Sequence, residues 1–341
     1  MGIPEFLYSV GLSAKKAYSL SRRRRLPCRV ISIGNITVGG TGKTPAAIAL
    51  AEEAKIRGYS PVILTRGYKG SAKGPCFVTK GDGPLLSARE AGDEPVLMAE
   101  RLKGVPIIKG SDRYEAGMFA LQNLDAQLST PSSRLLFILD DGYQHWKLYR
   151  DRDILLIDSE NPFGNRMLLP LGKLREPLRT IERADIVVLT KCKIPDGLQR
   201  KEIKSVIAEI KKYNAEAPVF LSGHSVVTAR LRSGEEISPA RLTGSRVFGF
   251  CALGNPRSFV NTIVSSGAVL SGMKTFRDHF EYAQPDIGNI RAEAEKAGSE
   301  WIVTTEKDMI KIRNLDLPEN IIIIEIEFSV DKGFYNAVFD F

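Results

Sequence analysis

The residues of this chain best suited by type and spacing to do chemistry are Gly42-Lys43-Thr44 and, far downstream, Asp140-Asp141. The first triplet closes a glycine-rich run, GNITVGGTGKTP at 34–45, that follows the apolar residues Val30, Ile31 and Ile33. A strand, a glycine-rich turn and a helix start make a phosphate cradle. Successive backbone N–H groups and the helix N-terminus face the anion, a lysine reaches the β/γ-phosphates, and a Ser or Thr hydroxyl ligates Mg2+. The candidate nucleotide-binding residues are therefore Thr37, Val38, Gly39, Gly40, Thr41, Gly42, Lys43 and Thr44. The strict pattern G-x-x-x-x-G-K-[ST] asks for glycine at position 37, where this chain has Thr37; Gly39 and Gly40 supply the permissive backbone instead. Pro45 is compatible with a first helical turn. The acid pair ends LLFILDD at 135–141, an apolar run followed by two carboxylates. That pattern predicts a buried strand delivering Asp140 to a Mg2+ shared with Thr44, as the Walker B acid does in P-loop enzymes.

Other polar residues stand at strand ends or helix starts. Arg66-Gly67-Tyr68 follows the apolar run PVILT at 61–65, where open α/β sheets collect ligands; an ordinary loop would also hold them. Gly92-Asp93-Glu94-Pro95 opens an amphipathic segment reaching about residue 102. Acids at a helix start serve capping and the helix dipole as readily as chemistry. Arg175 and Glu176 lie in a long Gly/Pro-rich loop, 161–177, of a length more often functional or mobile than idle. Arg277-Asp278-His279 and Thr304-Thr305-Glu306-Lys307-Asp308 each follow a predicted strand. Thr190-Lys191-Cys192-Lys193 stands where a GTPase carries N-K-x-D but lacks its carboxylate, which disfavours guanine.

These residues need strands and helices in alternation, and the hydrophobic pattern supplies them. It predicts an α/β fold, a P-loop NTPase-type parallel sheet domain with a smaller second α/β domain joined by a β-hairpin linker. The boundaries read as an amphipathic helix in 1–28, a P-loop core in 29–217, a two-stranded hinge or linker in 218–246 and a C-terminal α/β lid in 247–341. The linker pairs Val219–Leu231 with a second strand, Glu236–Phe250, about the turn Arg232-Ser233-Gly234; 127–133 reads as a polar surface loop and 321–328 as a central strand.

A chain of 341 residues, 43% hydrophobic and 26% charged, suits a globular protein of two cores. Its net charge of +8 favours an anionic partner: nucleotide, nucleic acid or acidic membrane surface. Four scattered cysteines and three histidines argue against a disulfide framework, a zinc site or a multi-histidine metal centre. No apolar run approaches the roughly 18 residues of a membrane span. Ile3, Phe6, Leu7, Val10, Ala14, Ala17 and Tyr18 recur at helical spacing, with Arg22 to Arg25 directly after. Such a helix suits a membrane interface, its polybasic end held by anionic headgroups; it would equally suit packing on its own domain.

The motifs GNITVGGTGKTP, SPVILTRGYKG (60–70), AGDEPVLMA (91–99), ILDDGYQH (138–145), LLPLGKLREP (168–177), FRDHFEY (276–282) and TTEKDMIK (304–311) together resemble the tetraacyldisaccharide 4'-kinase (lipid A 4'-kinase) family. Thr37 looks like that family's own form of the loop. The resemblance implies transfer of the ATP γ-phosphate to the 4'-hydroxyl of a tetraacylated glucosamine disaccharide 1-phosphate, with ATP and Mg2+, by a peripheral protein at the cytoplasmic face of the inner membrane. It implies Asp93 as the base, with His279 of the second domain paired to it, and Lys43 and Asp141 in catalysis. Thr44 and Asp140 would serve the metal, with Glu176 orienting its shell, and Tyr68, Glu94, Arg113, Arg175 and Lys307 would contact substrate or phosphate. No protein partner or nucleic acid is implied. The rival is a membrane-associated P-loop ATPase switch of the partition or targeting kind. Such switches resemble K-G-G-x-G-K-[ST], and Val38 stands where that first lysine would be. Against a nucleic-acid enzyme, the basic residues form no aromatic-interleaved stripe.

Overall fold

The computed structural model describes residues 2–124, 134–192 and 197–341; the polar loop expected at 127–133 and Lys193 lie outside them. The chain divides into two compact units, one of Met1–Gly223 with Phe328–Phe341, the other of His224–Glu327. The closing residues thus belong to the first unit, although 247–341 reads in the sequence as one lid domain.

In chain order the first unit carries α1 (Ile3–Ser21), β1 (Arg29–Gly34), α2 (Lys43–Ile56), β2 (Ser60–Thr65), β3 (Cys76–Thr79), α3 (Ala88–Ala91), α4 (Asp93–Arg101), β4 (Ile107–Lys109), α5 (Arg113–Leu124), β5 (Leu135–Asp140), β6 (Arg152–Asp158), β7 (Ile186–Thr190), α6 (Gly197–Tyr213) and the start of β8 (Val219–Leu231). The strands order as β8-β7-β6-β1-β5-β2-β4-β3. Their pairings are parallel, except that the edge strand β3 runs antiparallel to β4. The strand β1 lies between β5 and β6, so the chain after Gly34 emerges between strands reached from opposite directions. That is a topological switch point, where α/β sheets bind ligands.

Full burial of both strand faces explains the continuous apolar runs. Phe137 and Leu139 pack with Val62, Leu64 and Ala120 in one cluster, while Leu155, Ile157, Val187 and Leu189 pack with Ile203 and Ile210 of α6 in another. Each such side chain contributes about 1.5–3 kcal/mol of transfer free energy, so the strand ends at the site rest on a stiff base.

The second unit holds the rest of β8, β9 (Glu236–Ile237), β10 (Arg246–Cys251), α7 (Pro256–Ser265), β11 (Val269–Thr275), α8 (Gln284–Lys296), β12 (Trp301–Thr305), α9 (Glu306–Ile312) and most of β13 (Ile321–Val330). Its strands order as β11-β10-β12-β13-β8, with β9 antiparallel to β8. Val247 and Cys251 of β10 join Phe259 and Ile263 of α7, whereas Phe248 and Phe250 join Ile287 and Ile290 of α8, a helix on each face. The stretch Glu236–Phe250 is not one strand. The two-residue β9 gives way to a 3-10 helix at Pro239–Leu242 before β10 begins. Pro239 and Gly244, the latter at φ 78°, are the breakers that the alternating apolar pattern obscured.

The chain re-enters the first unit at the end of β13 and finishes as α10 (Lys332–Phe339). Phe334 is buried against Phe220 and Phe328, and Phe339 stacks on Tyr59.

Candidate active site

The cradle begins where β1 ends. Gly42 caps α2 in the left-handed region at φ 82°, and Gly39 sits at φ 121°, a backbone open to glycine at little cost. A Cβ at Gly39 or Gly40 would meet no protein atom within 4 Å. The space beside them is open, which fits a phosphate drawn close to the backbone. The buried Asn35 amide donates to Thr41 Oγ1 at 3.0 Å, and Thr190 Oγ1, at the end of β7, donates to the Thr41 carbonyl at 3.0 Å. These two contacts fix the turn.

The first part of the loop is committed elsewhere. Val38 N–H donates to the Lys173 carbonyl at 2.8 Å, Arg175 N–H donates to the Ile36 carbonyl at 2.7 Å, and Thr37 bridges Leu174. The backbone amide of Val38 therefore cannot also serve a phosphate as the motif implied. Gly39 to Thr44 remain for that task.

Opposite the cradle the acid pair divides its labour. The chain turns sharply after β5, with Asp141 at φ 51° and Gly142 so close to Leu139 and Ser32 that a Cβ would lie 2.7 Å from each. The turn directs the Asp141 carboxylate to Arg175 Nη1, at 3.0 and 3.1 Å, and to Lys43 Nζ at 3.7 Å. Burial raises its pKa, but the charges of Lys43, Arg175 and Arg113 and the Arg175 hydrogen bond outweigh it, holding the carboxyl below its ordinary value.

Asp140 is 4% exposed and accepts a hydrogen bond from Thr65 Oγ1 at 3.1 Å. Burial first, then the neighbouring charges of Glu94 and Asp141, push its carboxyl up to about 7. A buried carboxyl amid other acids gains from a divalent cation, and Mg2+ is usually held by one or two carboxylates together with phosphates and water. The donor set Thr44 and Asp140 fits that ion.

Arg113 is buried, with Nη1 on the Gly110 and Ser111 carbonyls at 3.2 Å each. Burial lowers its pKa to about 10, partly offset by Asp140 and Asp141, and the charge of Arg66 lowers it further. His145 Nε2 accepts the Arg113 backbone N–H at 3.3 Å, and its pKa falls to about 3 through burial and the Arg113 charge. The imidazole is neutral, a structural prop for the helix start that carries Arg113.

Asp93 and Glu94 open α4 behind Gly92, which sits at φ 101° with its would-be Cβ 2.8 Å from the Tyr68 carbonyl. That close approach locks the Arg66–Tyr68 turn against the start of α4. Lys109 completes the junction, its ammonium buried and donating to the Glu90 carbonyl at 2.6 Å while Gly67 and Gly70 clear its side chain.

Glu176 departs from the expected role. It is 1% exposed, and both carboxylate oxygens are taken by Arg183 at 2.6 Å, with Gln144 on Oε1 at 2.7 Å. The Arg183 guanidinium also lies over the Tyr143 ring, 3.7 Å from its centroid. Three protein donors, two from Arg183 and one from Gln144, engage this carboxylate, so its contacts are those of a fork that holds the 161–177 loop rather than those of a metal shell.

In the second unit His279 lies at φ 59°, just past β11. Its Nε2 is 3.8 Å from Asp278, whose other oxygen is 3.4 Å from Lys307 Nζ. Behind them Asp308 is fully buried. It accepts from Thr305 Oγ1, Tyr282 Oη and the Ala252 N–H at 2.7–3.2 Å. Burial raises its pKa and that of Tyr282, and the knot fixes the ends of β10 and β12 beside His279.

The first unit thus gathers Lys43, Glu94, Arg113, Asp140, Asp141 and Arg175 into one electrostatic neighbourhood, with Asp93 and Tyr68 on the adjoining turn. His279 and Lys307 stand together in the second unit. Sequence reasoning pointed to Arg66 at its strand end but missed Thr65, Asn35, Thr190 and Arg183 as parts of the site. For Thr65 and Thr190 the signal was present, since both are polar residues closing apolar strands.

A lysine at the head of a glycine cradle, facing the strand-end acids across a switch point, is the working arrangement of P-loop phosphotransferases, and this chain is one of them. The family model Tetraacyldisaccharide-1-P 4'-kinase matches residues 5–340, and the chain belongs to that family. It is 39% identical to the tetraacyldisaccharide 4'-kinase of Syntrophus aciditrophicus (strain SB), covering 98% of this chain and 90% of that one. It is 38% identical to that of Geobacter sulfurreducens, over 92% and 83% of the two chains. Among solved structures it is similar to LpxK from Aquifex aeolicus in complex with ATP, with TM-score 0.72, 29% identity and 98% and 96% coverage. These relatives do not favour the switch reading.

Proposed function

We propose that this protein transfers the γ-phosphate of ATP to the 4'-hydroxyl of a tetraacylated glucosamine disaccharide 1-phosphate. The observation that carries this reading is the open cradle at Gly39 and Gly40 with Lys43 held 3.7 Å from Asp141, in a chain matched to the family over residues 5–340. ATP binds with its phosphates along Gly39–Thr44. Thr44 and Asp140 would hold Mg2+, which would supply positive charge to offset that of the phosphates. Lys43 and Arg175 lie at Asp141, which aims both cations toward the transferring phosphoryl group. Asp93 accepts the proton of the 4'-hydroxyl as its oxygen bonds to the γ-phosphorus and the bond to the ADP oxygen breaks. His279, set by Asp278 and Lys307, pairs with Asp93 when the two units close over the nucleotide, with 218–246 as the hinge. Arg113, Glu94, Tyr68 and Lys307 contact the acceptor or its phosphate.

The acceptor is a lipid, so the enzyme works at a membrane surface, peripherally at the cytoplasmic face of the inner membrane. No helix of the described residues is long and apolar enough to cross one. The support comes from α1. Glu5 is buried and accepts the Leu168 N–H at 3.0 Å, and Tyr8 Oη donates to the Arg175 carbonyl at 3.0 Å. The pinned face leaves Ile3, Phe6, Leu7 and Val10 at least half exposed, next to the exposed Leu171. An apolar stripe turned outward on an anchored helix favours an interface over self-packing. The arginine run serves it only in part, because Arg24 pairs with Asp112 and Glu115, and Arg25 with Asp151.

The test is mass spectrometry of a detergent-dispersed acylated disaccharide 1-phosphate after incubation with ATP. One added phosphate, absent with a 4'-deoxy acceptor, supports the reading. ATP hydrolysis without any phosphorylated lipid would overturn it.

A further inference from the structure

Beside the C-terminal half of α1, the first unit contains a polar cavity of about 310 Å3 that shares no residue with the phosphate cradle. Buried Trp146, Arg150 and Asp153 form its deep wall, and Lys16, Arg23 and Asp185 stand around its mouth. The charges here do not balance. Arg150 is paired with Asp153 at 2.7 Å. Lys16 and Arg23 have no carboxylate within ion-pair distance among the described residues, whereas neighbouring Arg24 and Arg25 both do. Arg183, the fourth cation lining the cavity, is paired with Glu176, and the remaining lining acid, Asp185, already accepts the Asp153 N–H at 2.6 Å. Two cations against one acid leave a single positive charge. Burial and then the facing Arg150 disfavour the charge on Arg23, and Asp153, already shared with Arg150, offsets them only in part. The Arg23 guanidinium is meanwhile held over the Tyr149 ring, 4.7 Å from its centroid.

The deep wall carries a second signal. Trp146 is 3% exposed, and its indole N–H has no hydrogen-bond partner among the described residues; Asp153 Oδ1 is likewise without one. Each such orphan costs about 1–3 kcal/mol, so an occupant offering both an acceptor oxygen and a hydroxyl is favoured.

We propose that this cavity binds a singly charged phosphate group, with Lys16 and Arg23 on its charge, the Trp146 N–H on one oxygen, and an occupant hydroxyl toward Asp153. The group is either the phosphodiester of a phospholipid headgroup or the monoanion of a soluble phosphate. The lipid source rests on α1 lying at a membrane, and would fix the end of that helix against the surface.

The experiment uses the full chain carrying Trp301→Phe, which leaves Trp146 as its sole tryptophan. The cradle is first saturated with a non-hydrolysable ATP analogue and Mg2+, so that it cannot compete. Trp146 emission is then followed during titration with dihexanoyl-phosphatidylglycerol below its micelle concentration and, separately, with inorganic phosphate. A saturable change weakened about tenfold or more by Arg23→Gln, and also by Lys16→Gln, is expected. A response to the lipid alone assigns a headgroup site; a response to both assigns a site for phosphate from either source. No saturable change, or one that Arg23→Gln leaves unaltered, overturns the proposal. Co-sedimentation with phosphatidylglycerol vesicles separates the two ideas. If monomeric lipid binds but vesicles do not carry the protein down, the cavity stands and the interfacial reading of α1 falls.

Discussion

Replacing Asp140 with asparagine should stabilise the protein while disabling it. The Asp140 carboxyl titrates at about 7 in the folded, metal-free chain because it is buried and faces Glu94 and Asp141, whereas an unfolded aspartate titrates near about 3.9. Between these values the native state keeps a proton that the unfolded state has released. This group therefore lowers stability as pH rises through that window, and its penalty is complete above about pH 7. Roughly three pH units at about 1.4 kcal/mol each set a ceiling near 4 kcal/mol. Asparagine cannot ionise and retains an acceptor for Thr65 Oγ1, but its new N–H groups cost about 1–3 kcal/mol if unmatched. Asp140→Asn should then gain about 1–3 kcal/mol at pH 8 and nothing at pH 4. Urea unfolding in EDTA at both pH values, on wild type and variant, measures this, and the difference between the proteins cancels every other titrating group. Identical pH slopes, or a variant less stable at pH 8, would show that Asp140 ionises without penalty and refute the electrostatic account of the metal position.

Glu176→Gln should destabilise the protein by up to about 3 kcal/mol, because it strips the buried carboxylate from the part-buried Arg183 charge; a shift in the Mg2+ concentration needed for activity without loss of stability would return Glu176 to the metal shell. Asp93→Asn should lower kcat by about 10^2- to 10^4-fold with little change in KM for ATP, and steady-state kinetics with unchanged turnover would remove it as the base. Phe6→Glu combined with Leu7→Glu, both exposed, should shift folding stability by no more than about 1 kcal/mol while abolishing vesicle co-sedimentation. Gly142→Ala should cost stability and activity together, since its Cβ would lie 2.7 Å from both Leu139 and Ser32; wild-type thermal unfolding in that variant would show the turn after Asp141 to be looser than described.

What could be read from the sequence was what depends on near neighbours. The cradle, the LLFILDD strand and the strand-helix alternation are written in contiguous residues, and all appear as elements in their expected order. The partners that define the site are not contiguous. Arg175 reaches Asp141 across 34 positions through loop conformation, and Arg183 reaches back to Glu176 from the end of a 3-10 helix at Leu178–Arg183, so no pattern in the sequence distinguishes a carboxylate aimed at a metal from one locked in a guanidinium fork. Thr37 and Val38 illustrate the same limit, because strand-like bridging to 173–174 consumes backbone that the motif assigns to phosphate. The stripe on α1 was visible, but its direction was set by Glu5 and Tyr8, polar residues whose partners lie more than 150 positions away. The return of α10 to the first unit rests on aromatic contacts to Phe220 and Tyr59, which nothing local encodes.

The central claim is that Lys43 and Asp93 act on one transferring phosphoryl group, and γ-labelled ATP tests it most directly. Purified wild type, Lys43→Ala and Asp93→Asn would each be incubated with an acylated disaccharide 1-phosphate, and label in the lipid would be counted. The account predicts label transferred by wild type and lost in both variants, with Asp93→Asn still binding ATP. Label reaching the lipid at the wild-type rate in either variant, or appearing only as free phosphate with wild type, would contradict it.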